Sequence, residues 1–138
     1  MSEQNVDVVR RVYDEWGRGN FRPRFDFYDD DMEWGWSEEF PGIAGVYRDP
    51  AERNARLAEW LAPWEHWVCE AEDYLIQGDH VVALCRYRGQ GKGSGAIVDT
   101  KGAHVWTLRD GKVVRLEVFA DRARALAAVG LTASPYSQ

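Results

Sequence analysis

The sequence is poor in the residues that metals, disulfides and nucleic acids need. Its 138 residues include two cysteines and three histidines. Cys69 and Cys85 stand in no redox or metal spacing, and His66, His80 and His104 form no pair on one helical face. No metal and no cofactor is expected from them, and both cysteines read as small buried hydrophobes in strands. Basic charge is also short, with 17 Lys and Arg against 23 Asp and Glu, a net charge of −6. A phosphate-binding surface needs the opposite balance, so nucleic acid and anionic membranes are not expected partners. No apolar run reaches the roughly 18 residues of a membrane span. Met1 to Asp7 is polar, without a signal-peptide core. The expectation is a cytoplasmic protein with reduced cysteines. Neither a repeat nor a linker divides the chain, which reads as one domain over 1–138.

Two apparent motifs also lack what their chemistry requires. Gly89 to Gly95 is glycine-rich, but it lacks phosphate-loop spacing and joins two strands instead of opening a helix. Gly93-Ser94-Gly95 is too short for a nucleophile elbow. The acidic group Asp29, Asp30, Asp31 and Glu33 reads as a solvated helix end and strand start.

What the sequence does have is tryptophan, seven in all. Val8, Val9, Val12, Tyr13 and Trp16 recur at helical spacing, which predicts a helix over Val6 to Trp16, stopped by Gly17 and Gly19. Phe21 to Tyr28 reads as a short second helix and Met32 to Trp36 as a first strand. Asp49, Pro50 and Glu52 mark the start of another helix, which Pro63 ends near Leu61. Four strands follow: Trp67 to Ile76, His80 to Arg88, Ala96 to Arg109 and Lys112 to Ala120. Asp110-Gly111 signals a type I′ hairpin. Asp121 caps a last helix that Gly130 and Leu131 close in a Schellman pattern. Strands joined by tight turns make an antiparallel sheet. The fold class is therefore α+β: a cone-shaped curved sheet covered by three helices of the N-terminal half, with a short C-terminal helix.

This order resembles the nuclear-transport-factor-2-like superfamily and its polyketide-cyclase-like (SnoaL-like) branch. The residues that carry the resemblance are Val8 to Tyr13 leading to Gly17-Arg18-Gly19-Asn20, then Asp30 to Trp34, His104 to Val114, and Ala125 to Leu131. Ketosteroid isomerases of this fold use a first-helix tyrosine, an aspartate ending the first strand and a strand aspartate. Val12, Trp36 and Ala103 match those places here, with Tyr13 one residue away. Epoxide hydrolases of the fold use an aspartate-arginine-aspartate set, and Cys85, Tyr87 and Val118 match it. Neither mechanism has its residues in this chain. The resemblance further implies a homodimer.

Strand alternation predicts the lining of the cone. Val81, Ala83, Cys85 and Tyr87 share one face of their strand, Ala103, Val105 and Thr107 a face of the next, and Leu116, Val118 and Ala120 a face of the last. Trp16, Trp34, Trp36, Trp60 and Trp64 either complete an apolar pocket with them or fill the cone. His104 and Glu117 number to 221 across the hairpin, which makes them cross-strand neighbours on the other face. There they form a surface or interface ion pair; a register one residue different would turn them to the pocket as an acid/base pair. Two functions follow. One is a binder of a hydrophobic small molecule, acting as an isomerase, cyclase or lyase by proton transfer on a carbonyl compound, with Tyr13, Tyr87 and Thr107 as its polar groups. The other is a non-enzymatic dimeric module whose interface uses Arg86, Arg88, His104, Trp106, Glu117 and Phe119.

Overall fold

The computed structural model describes residues 2–21 and 25–131. Helix α1 spans Ser2–Trp16, α2 Pro50–Leu61 and α3 Arg122–Ala128. The strands are β1 (Tyr28–Trp36), β2 (Gly45–Tyr47), β3 (Trp64–Gln77), β4 (His80–Gly91), β5 (Ile97–Arg109) and β6 (Lys112–Phe119). They form one open sheet in the order β2-β1-β6-β5-β4-β3. All neighbours are antiparallel except β1 and β6, so the sheet is mixed. The helix expected over 21–28 falls partly on residues 22–24, outside the described residues; Asp26 and Phe27 form a turn and Tyr28 already opens β1.

The local signals act as their chemistry requires. Asp49 caps α2 by accepting from the Ala51 amide, with Pro50 in the first turn. Asp110 and Gly111 both have positive φ, 53° and 79°, as a type I′ turn demands. Gly130 also lies at positive φ, and the Leu131 amide donates to the Leu126 carbonyl to close α3.

The sheet carries apolar clusters on both faces. On the concave face, Val9, Val12, Tyr13 and Trp16 of α1 pack on Val81, Ala83, Cys85 and Tyr87 of β4 and on Leu116 and Val118 of β6. On the outer face, Ala125 and Leu126 of α3 pack on Val82, Leu84, Ala103 and Val105. Arg122, at the start of α3, ties that helix down. It donates to the carbonyls of Gly102 at 3.1 Å and Cys85 at 2.9 Å, and to Glu72 at 2.6 Å.

Two registers decide what enters the cone: Ala83 of β4 pairs with His104, and β6 carries one irregularity against β5. Arg109 faces Lys112 and Leu108 faces Val113, as the two-residue turn dictates, but Thr107 faces Arg115. Val114 is the extra residue of a β-bulge. Beyond it His104 faces Val118, and Glu117 faces Val105. His104 and Glu117 are therefore not cross-strand neighbours and point to opposite faces. His104, Trp106 and Leu108 turn inward, while Ala103, Val105 and Thr107 turn outward, reversing the expectation for β5.

Candidate functional site

The centre of the concave face is a hydrogen-bonded chain of aromatic side chains. Trp106 Nε1–H donates to Tyr13 Oη at 2.9 Å. Tyr13 Oη lies 2.6 Å from His104 Nδ1, and Tyr87 Oη lies 2.8 Å from His104 Nε2. An indole N–H can only donate, so it occupies an acceptor site on Tyr13; of the two acceptors in reach of the Tyr13 hydroxyl proton, Nδ1 at 2.6 Å is the stronger and nearer and Cys85 Sγ at 3.6 Å the weaker, so the proton goes to Nδ1. Nδ1 accordingly accepts, and Nε2 carries the imidazole proton and donates it to Tyr87. The Tyr87 proton is then the unspent donor at the end of the chain. Burial pushes the Tyr13 and Tyr87 phenols well above their ordinary range, and the neighbouring cysteines push the same way, so both stay protonated at neutral pH.

The chain ends at a small cavity of about 30 Å³. That is room for one or two water molecules. Trp16, Trp34, Trp36, Trp60, Tyr87 and Val118 line it, together with Cys69 and His104. Phe21, Phe40, Leu57 and Trp67 complete the wall. Most of the cone is filled by rings: Trp34 stacks on Trp36, and Trp36 and Phe40 both meet Trp60. The indole N–H of Trp34 is buried without a partner. The cavity wall therefore holds one unspent indole donor and one unspent phenol donor, which together suit an acceptor oxygen.

Two glycines make this packing possible. A Cβ on Gly102 would stand 2.5 Å from the Tyr87 ring and 2.9 Å from the Phe119 carbonyl oxygen. One on Gly89 would stand 2.4 Å from the Trp67 ring. Each ring lies flat against a neighbouring strand because a side chain is missing there.

The remaining expected site residues are placed as follows. Tyr13, Cys85 and Leu116 are buried in the concave cluster behind the cavity. Trp64 borders the clefts beside α2 and does not line the central cavity. Val105 lies under α3, and Thr107 Oγ1 meets His80 Nδ1 at 2.9 Å on the outer face, so neither lines the cone. Glu117 is also on the outer face, 3.3 Å from Arg115. The residues expected to form an interface are split: Trp106 and His104 are interior, whereas Arg86 pairs with Asp99 and Arg88 with Glu70 on the outer face. Sequence reasoning missed Cys69 as a cavity residue, and it placed His104 on the outer face, turning it to the pocket only for a register one residue different. The missing signals were the β4–β5 register, which pairs Ala83 with His104, and the bulge at Val114 of β6, neither of which strand alternation reveals.

Tyr13 and His104 each follow by one residue the positions, Val12 and Ala103, that matched the isomerase pattern. Tyr13 still reaches the interior because the apolar face of α1 is wide: Val9, Val12, Tyr13 and Trp16 are all buried.

Solved structures with the same fold are numerous. TerC, co-crystallised with polyporic acid, superposes with a TM-score of 0.74 at 22% identity, covering 91% of this chain and 97% of that one. An NTF2-like protein of unknown function from Burkholderia pseudomallei also gives a TM-score of 0.74, at 19% identity and coverages of 92% and 98%. A SnoaL-like polyketide cyclase, so described, from Jannaschia sp. gives 0.74 at 22% identity, with 93% and 92% covered. These likenesses establish the fold. No curated protein matches the chain. The profile of the SnoaL-like domain matches residues 9–116, and the chain belongs to that family.

Proposed function

We propose that this chain binds a hydrophobic carbonyl compound inside the cone and acts on it by proton transfer, in the manner of an isomerase or cyclase. The observation that carries this reading is the chain Trp106–Tyr13–His104–Tyr87, which ends in a free phenol proton at an apolar cavity. Tyr87 Oη and Trp34 Nε1 are the donors for a carbonyl or enolate oxygen. His104 stands behind Tyr87 and feeds it a hydrogen bond, which strengthens as negative charge develops on the ligand oxygen. Among the described residues no carboxylate is buried in the cone, so the built chemistry is on the electrophilic side of the reaction.

A ligand larger than water must displace part of the wall. Helix α2 is the movable part, because none of its residues is fully buried and its Leu57 and Trp60 close the cavity. The family and TerC's co-crystallised ligand make polyporic acid, an aryl-substituted quinone, a rational first probe.

The test is a titration of tryptophan fluorescence and thermal stability with polyporic acid and a panel of aromatic polyketide, steroid and terpenoid carbonyl compounds. Saturable binding by one class, weakened about tenfold in Tyr87→Phe, is expected for the loss of one hydrogen bond. A folded protein that responds to no class in the panel would remove the basis of this reading.

A further inference from the structure

Behind the cavity, two thiols that the carbonyl chemistry does not use converge on the His104 imidazole that it does. Cys69 of β3, Cys85 of β4 and His104 of β5 offer their Sγ, Sγ and imidazole nitrogen within 4.8 Å of one another, all buried. We propose that these three residues are a binding site for a thiophilic divalent ion, zinc foremost, with its fourth position open to the cavity. This site goes beyond the carbonyl-binding reading and does not depend on it.

The geometry fits the ion. Zinc bound tetrahedrally at about 2.3 Å from sulfur and 2.0–2.1 Å from nitrogen holds those two ligands about 3.6 Å apart. Cys85 Sγ lies 3.4 Å from His104 Nδ1. The strand register produces this closeness: Cys85 pairs with Ala71, two residues beyond Cys69 on the same face of β3, and Ala83 of β4 pairs with His104.

The tautomer fits as well. Tyr87 accepts the Nε2 proton, which leaves the Nδ1 lone pair on the side of Cys85 Sγ and the Tyr13 hydroxyl. An outer hydrogen bond of this kind fixes a ligating imidazole. When the ion takes the Nδ1 lone pair, the Tyr13 hydroxyl turns to Cys85 Sγ, 3.6 Å away. Cys69 and His104 also line the 30 Å³ cavity, so a water has room to complete the coordination.

Charge decides the ion. Both cysteines bind as thiolates, and two thiolates with one divalent cation and a neutral imidazole sum to zero. A neutral complex avoids the cost of leaving a net charge in this apolar interior, and thiolate ligands favour zinc over magnesium or calcium.

The experiment uses the whole chain, stripped with a chelator, kept reduced and titrated with cobalt(II) and then with zinc, in the folded state and during refolding. One equivalent of cobalt should give a thiolate-to-cobalt charge-transfer band that zinc abolishes. Protons should be released as the ion binds, and both cysteines should become protected from a thiol reagent. Cys69→Ser and Cys85→Ser should each remove the band, and Tyr87→Phe should weaken binding 10- to 100-fold through loss of the outer hydrogen bond. If the serine variants fail to fold, thiol protection in the unaltered protein decides instead. A reduced, folded protein that takes up no ion by either route overturns the proposal. So does an ion bound without the thiolate band, or a Cys69–Cys85 disulfide that yields no metal binding after reduction.

Discussion

Tyr13 Oη and His104 Nδ1, 91 positions apart in sequence, lie 2.6 Å apart and join α1 to β5 across the concave face. The tyrosine is also the acceptor for the Trp106 indole N–H. Tyr13→Phe should therefore cost about 1–3 kcal/mol, because it leaves a buried indole donor unpaired and His104 Nδ1 with only the weaker Cys85 thiol. Urea unfolding of the two proteins measures it. A cost below about 0.5 kcal/mol would mean that the chain does not hold α1 to the sheet.

Gly102→Ala tests whether a bare strand backbone positions Tyr87. The new methyl would collide with the Tyr87 ring and hydroxyl and with the Phe119 carbonyl, so the ring must shift from its place beside His104. A loss of about 1–3 kcal/mol is expected from overpacking. Weaker ligand binding should accompany it, similar to that of Tyr87→Phe. Unchanged binding would separate the ring position from the site.

Arg122 is buried at 8% exposure and donates to two sheet carbonyls and to Glu72. Arg122→Ala should destabilise the protein by about 2–4 kcal/mol and loosen α3 first, since the Gly102 and Cys85 carbonyls lose their charged donor. Amide hydrogen exchange, read over α3 against the global unfolding, would detect this. Equal protection of α3 in the two proteins would contradict the anchoring role.

Alkaline pH should unfold the chain through its tyrosines. Burial pushes Tyr74 from 10.0 up to about 12, against the opposing charge of Arg10, and burial raises Tyr13, Tyr28 and Tyr87 as well. A folded-state value above the unfolded one means that the native state holds protons that the unfolded chain has released. That stability is fully present below pH 10 and, for Tyr74, is lost as pH rises from about 10 to about 12. Tyrosinate absorbance should lag in the native protein and then rise together with the loss of circular dichroism. Smooth titration of every tyrosine in a folded protein would show these rings to be accessible.

Much of this architecture is legible in the sequence because capping and turn chemistry are local. Asp49, Asp110-Gly111, Asp121 and Gly130 each act where they stand, and the period-2 pattern of β4 assigns Val81, Ala83, Cys85 and Tyr87 to the concave face. Strand β5 defeats the same method. The β4–β5 register seats His104 opposite Ala83 in the cone and turns Val105 and Thr107 out of it, the extra residue Val114 keeps Leu116 and Val118 on the cone face beside it, and the alternating apolar residues of β5 and β6 fit either register. The parallel pairing of β1 with β6 and the short strand β2 are likewise long-range matters without a local signal. The proximity of Cys69 to Cys85 and His104 depends on register across three strands, so no spacing in the chain announces it.

The most direct measurement is of the imidazole nitrogens of His104 by ¹⁵N NMR in chelator-stripped protein, before and after polyporic acid is added. The account predicts a single tautomer, with the proton at Nε2 and Nδ1 accepting, and a ligand response concentrated at Nε2 and the Tyr87 hydroxyl. A proton resting on Nδ1, or a bound ligand that leaves the His104 resonances unmoved, would contradict it.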